Sequence, residues 1–127
     1  MLSRMALMLL SFVSASALSS ASERRPFEGV WAKSERECRD EEGPNSRTMI
    51  DMRDPKVGPL FDQYENHCRV HSVVPSSNQT FTLKVTCHEF WEEFQKRQSG
   101  QAMSIRLQVR GVNSIMLDGV RYLRCIR

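Results

Sequence analysis

The sequence predicts a mostly β fold, a small antiparallel β-barrel, with a β-sandwich as the other arrangement. Three observations predict it. Apolar and polar residues alternate with a period of two in several short segments. Turn residues, above all Asp118-Gly119, separate these segments. Four cysteines stand in a short chain that opens with an export-type leader. Six to eight short strands in about 105 residues must hide one apolar face, and closure into a barrel also removes exposed edges.

The leader comes first. Arg4, the apolar run Met5 to Val13 and the Ser/Ala stretch that follows have the three-part order of a secretory signal over residues 1–21, with cleavage after Ala17 or Ala21. The apolar run is too short to cross a bilayer. Residues 22–127 are then expected to form a single disulfide-stapled β domain, periplasmic or secreted, with no membrane insertion after cleavage. Lys and Arg number 18 against 15 Asp and Glu, and one of the cations, Arg4, lies in the leader. So slight an excess argues against nucleic acid as a partner.

In the domain, Phe27, Gly29 and Trp31 alternate in a first strand, and Thr48 to Met52 in a second. Ser34 to Arg47 reads as a polar turn region and Arg53 to Gly58 as a loop. His67 to His88 reads as a hairpin around Pro75 to Thr80. Its expected register sets Val74 against Phe81, Ser72 against Leu83, Val70 against Val85 and Cys68 against Cys87. Val73 then falls on the solvent face, and His67 meets His88 there. Cys87 to Phe94 reads as a further extended stretch, because aromatic residues favour strands. Met103 to Val109 alternates again, and Val112 to Leu117 and Val120 to Cys125 flank Asp118-Gly119 as a second hairpin, with Leu117 facing Val120. In that hairpin Cys125 falls on the wrong face, so a bulge or strand end must intervene.

Cys38, Cys68, Cys87 and Cys125 are expected to form two disulfides, because an even count in a small exported chain is normally oxidised. No Cys-x-x-Cys pair points to zinc. Three pairings are open. Cys38 with Cys68 and Cys87 with Cys125 is favoured, since each ties a long loop or terminal strand to a neighbour. Cys68 with Cys87 and Cys38 with Cys125 is the alternative that the hairpin register suggests.

Chemistry-bearing motifs are few. The chain has no nucleophile elbow, phosphate loop or His-Glu-x-x-His, so no catalytic residues are assigned and no enzymatic activity or cofactor is expected. His67 and His88 are weak metal candidates, two imidazoles facing each other across a hairpin. Asp40 to Glu42 is one acidic cluster, and Glu89, Glu92 and Glu93 beside Trp91 form another, suited to a basic partner. Asn78-Gln79-Thr80 is an acceptor triplet for N-glycosylation at a loop tip.

Two resemblances follow from these residues. Gly29-Val30-Trp31 is similar to the lipocalin and avidin-like opening, in which the Trp plugs one barrel end and a late Arg, here Arg121 or Arg124, covers it. The stretches Trp31 to Ser34, Asp40 to Arg47, Phe61 to Cys68, Phe90 to Glu92 and Asp118 to Cys125 resemble small exported bacterial four-cysteine proteins of unassigned activity. That likeness implies a compartment and a cysteine count, not a chemistry. The expected function is a non-enzymatic, monomeric binding module for a protein or envelope component, similar to the small β-barrel inhibitors of lysozyme, with Trp31, Trp91, Glu89, Glu92 and Glu93 as contacts. A lipocalin-like carrier of a small apolar ligand and a metal-binding periplasmic protein are the alternatives, and whether the barrel is filled or hollow separates the first two.

Overall fold

The computed structural model describes residues 24–126. The leader at 1–21 and both cleavage positions lie outside the described residues. Eight antiparallel strands, each paired with the next in sequence, close into one barrel: β1 (Gly29–Ala32), β2 (Thr48–Asp54), β3 (Gly58–Gln63), β4 (Asn66–Ser77), β5 (Thr80–His88), β6 (Gln101–Gly111), β7 (Ser114–Leu117) and β8 (Val120–Arg124). Closure runs through β1, whose Trp31 pairs with Thr48 of β2 on one side and Arg124 of β8 on the other. Neither terminal strand is left with an open edge to recruit another chain.

Inward positions of nearly every strand fill the centre. Phe27, Trp31, Ile50, Phe61, Leu83, Leu107 and Ile115 are all but fully buried and pack into one cluster. The Cys68–Cys87 disulfide lies within that cluster, joining directly opposed residues of β4 and β5. Carbon side chains and a cystine therefore occupy the barrel axis.

One barrel end is sealed by the first strand. Trp31 is wholly buried, and its indole N–H donates to the Phe27 carbonyl at 3.0 Å. The Arg124 guanidinium lies 4.2 Å from the ring centroid and donates to the carbonyls of Val112, Glu28 and Pro26. Of the two arginines considered as a cover for this Trp, Arg124 is the one that takes the position. Gly29 is required here: a Cβ would meet Arg124 Nη1 at 2.4 Å, and its φ of +144° disfavours other side chains. Glu28, buried beside them, has both carboxylate oxygens engaged by the backbone N–H groups of Met52 and Arg25.

The hairpins follow the alternation with one revision. His67 meets His88, Cys68 meets Cys87 and Val70 meets Val85 as the sequence predicts. Beyond Val70 a bulge shifts the register, so Val73 pairs with Leu83 and Ser72 with Lys84. Val73 therefore packs against the core, and Val74 turns outward. At the second hairpin Leu117 faces Val120 and Ile115 faces Tyr122, across Asp118 and Gly119 with φ of +47° and +82°. Positive φ at both central residues is what such a two-residue turn demands. The strand ends at Arg124, which frees Cys125 from the alternation.

Two further expectations are corrected, and one strand forms that the sequence did not predict. The disulfides are Cys38–Cys125 and Cys68–Cys87, not Cys38 with Cys68 and Cys87 with Cys125. Barrel closure decides this, because it brings the end of β8 against β1 and the 3₁₀ turn Glu37–Arg39 that follows it. Cys87 to Phe94 does not stay extended: β5 stops at His88, and Trp91–Gln95 forms one short helix, α1. The residue Phe90 is extended, and the Phe94 N–H returns to its carbonyl. β3 also forms where the sequence shows no clean alternation. Its Leu60 faces outward yet is buried, because the outer wall is covered there. Two cystines and no free cysteine fit an oxidising compartment.

Candidate functional site

The outer wall of β2, β3 and β4 carries the most organised group of exposed side chains. α1 lies at its β4 margin, in contact with β4 and β5, and Phe94 is the anchor, with no exposed surface. The Arg69 guanidinium from β4 sits 4.3 Å from the Phe94 ring centroid, and its two terminal nitrogens donate to the Val57 and Phe94 carbonyls at 3.4 Å. Partial burial and nearby Arg97 pull the Arg69 pKa below the usual guanidinium value, though such a group stays charged at neutral pH. Trp91 stacks on Phe94 at 4.8 Å, nearly parallel. His67 then meets Trp91 edge-on at 5.1 Å and is held from behind by the Asp62 carboxylate.

Arginine, two stacked rings, imidazole and carboxylate thus form a continuous ladder from β4 over α1 and back to the wall. Each rung is fixed by the next, so Trp91 is held in place although it keeps 36% of its surface in solvent. Phe90 at 58% and Tyr64 at 46% are exposed beside it. Large aromatic side chains left outside by a filled barrel mark an interaction surface when they gather in one place.

Two grooves flank Trp91. One, of about 380 Å³, runs between the 41–47 loop, the β3–β4 turn and residues 89–91. Tyr64, Phe90 and Trp91 form its aromatic walls, and Glu41, Glu42, Asp62, Glu65 and Glu89 supply carboxylates. Arg47 is bonded to Glu41 at 3.1 Å and His67 to Asp62. Glu42, Glu65 and Glu89 have no cationic partner among the described residues. The Tyr64 hydroxyl donates to Glu65, whose negative charge holds the phenol pKa above its usual value. The second groove, of about 670 Å³, lies on the other side of Trp91 and mixes Met49 and Leu60 with Lys56, Arg69 and Arg97.

The residues singled out by sequence separate here. Trp91 and Glu89 line the acidic groove. Trp31 is no surface contact, because it is the core plug. Glu92 faces away and pairs with Lys96 one turn on, and Glu93 lines neither groove. His67 and His88 do face each other, His67 bonding the Asp62 carboxylate through Nδ1 and His88 the Gln98 carbonyl through Nε2 at 2.7 Å, while the buried His88 Nδ1 has no hydrogen-bond partner among the described residues. No group of three or more His, Cys, Asp or Glu converges among the described residues. Sequence reasoning missed Tyr64, Phe90, Asp62 and Arg69 as site residues. For Tyr64 a signal existed, since an aromatic residue in the polar segment Gln63 to Asn66 is poorly explained by core packing. Comparison with family models, curated proteins and solved structures finds no match.

Proposed function

We propose that the protein is an exported, non-enzymatic binding module that holds a protein or envelope component against the outer wall around Trp91. The observation that carries this reading is the rigid display of Trp91, Phe90 and Tyr64 on one wall while the barrel centre is occupied by its own side chains. The two disulfides support a periplasmic or secreted location after leader removal, with the mature domain acting as a monomer. The likeness to small β-barrel inhibitors of lysozyme belongs to this reading, since such modules act by blocking rather than by chemistry. The carrier alternative draws support from the Gly29, Trp31 and Arg124 arrangement, but the packed cluster on the barrel axis weighs against it. The metal alternative has less, since no third ligand gathers with His67 and His88 among the described residues.

The test is site-specific photocrosslinking in the exporting cell. A crosslinking side chain at Phe90 is expected to give one discrete adduct, and the same group at Arg110, on the outer face of β6, none. Equal labelling from both positions, or none from Phe90, would overturn the reading.

A further inference from the structure

The aromatic groove beside Trp91 has the chemistry of a seat for an organic cation, and we infer that it takes arginine side chains presented by a basic polypeptide. This deepens the binding reading above and rests on it.

Shape and charge argue together. Tyr64, Phe90 and Trp91 present ring surface to one groove of about 380 Å³, large enough for a few side chains and too small for a folded domain. A ring face attracts a cation placed over it, and the attraction grows when water is partly excluded. Glu42, Glu65 and Glu89 form no ion pair among the described residues, and the groove's five carboxylates outnumber its one arginine, Arg47, which is bonded to Glu41. An anionic or purely apolar occupant would leave these carboxylates facing it unpaired. A basic one would pair with them.

The fold twice shows which cation suits such rings. Arg69 lies over Phe94 at 4.3 Å, and Arg124 over Trp31 at 4.2 Å. In the first case the ring bearing the guanidinium is the one on which Trp91 stacks, so an incoming arginine at Trp91 would extend an existing ladder. A planar guanidinium stacks on a ring and forks two hydrogen bonds to one carboxylate, whereas an ammonium ion makes a point contact and is more strongly hydrated. Arginine is therefore favoured over lysine.

The probes are hexa-arginine, hexa-lysine and hexa-glutamate peptides, titrated into the mature oxidised protein by calorimetry, with sedimentation run in parallel. Hexa-arginine is expected to bind, hexa-lysine more weakly and hexa-glutamate not at all, with affinity falling as salt rises. Phe90→Ala, on an exposed side chain, should weaken hexa-arginine binding about tenfold, and Glu65→Gln with Glu89→Gln by a similar factor. Circular dichroism and denaturation midpoints check that both variants remain folded. Equal binding of hexa-arginine and hexa-lysine, or hexa-arginine binding untouched by either variant, would overturn the assignment. Self-association that needs Phe90 would also overturn it, giving the groove to a second copy of the chain. A discrete crosslink from position 90 alongside no peptide binding would refute the arginine inference while leaving the binding module standing. Loss of both would remove the binding reading as well.

Discussion

Trp31 and Trp91, the only tryptophans in the chain, occupy opposite sides of the barrel wall and have opposite relations to water. Trp31 is wholly buried, with its N–H satisfied by Phe27 and its ring covered by Arg124. Trp91 is stacked on Phe94, braced by His67 and still open to solvent. Both stand near an arginine. In one case the arginine closes the protein, and in the other Arg69 stiffens a platform that remains accessible. An aromatic side chain signals binding when it is held firmly without being covered.

The largest effect expected from this contrast is on stability. Trp31→Ala should cost about 3–5 kcal/mol, because it opens a cavity at a site that closure of the barrel prevents from collapsing. Urea unfolding monitored by circular dichroism measures it, and a cost under about 1 kcal/mol would show that Trp31 is not the plug. Arg124→Met retains much of the volume over the indole but removes donors from three carbonyls, for an expected loss of about 2 kcal/mol in the same assay. A neutral result would mean that the carbonyls find water instead.

The two cystines sharpen the same comparison. Cys38–Cys125 joins the plug end across 87 residues, and Cys68–Cys87 joins neighbours across 19. In the chain-entropy view, loss of the longer link should cost about 1.3 kcal/mol more. Paired substitutions, alanine at the partly exposed sites and valine at the buried ones, compare them by denaturation midpoint. If the shorter link proves the costlier, packing around Cys68 outweighs loop entropy.

Trp91→Ala should cost only about 1 kcal/mol, mainly its stacking on Phe94, while abolishing the crosslink at position 90. A stability loss equal to that of Trp31→Ala would erase the distinction between the two sites. The smallest effect concerns Tyr64. Its pKa is raised by the hydrogen bond to Glu65, so the favourable contribution is present below the unfolded pKa and is lost as pH rises through the folded one. Glu65→Gln should bring the phenolate absorbance transition down toward the ordinary tyrosine value, and an unchanged titration would show that the hydroxyl points elsewhere.

Much of the barrel was legible in particular residues. The Asp118-Gly119 turn, the alternation in Met103 to Val109 and the Cys68 to Cys87 opposition all follow from local periodicity. The bulge after Val70 was not legible, because one inserted residue leaves the composition of β4 unchanged while reversing which of Val73 and Val74 faces inward. α1 was hidden because Phe90, Trp91 and Phe94 suit a strand edge as well as one helical turn. What made it a helix is the outward-facing Leu60 and Arg69 wall that Phe94 covers.

The candidate site was half legible: Trp91 and Glu89 stood out, but Asp62, Tyr64 and Arg69 come from β3, the turn after it and β4, distant in sequence from Trp91. The sequence alone determined strand class and hairpin turns, and it supplied the expectations of an export signal and of two cystines, since each depends on residues close together or on a count. Tertiary structure alone decided which cysteines join, which tryptophan is covered and which carboxylates share a groove. Those outcomes depend on barrel closure, which sets β8 beside β1 and brings far-separated residues within contact distance, and no local pattern encodes that distance.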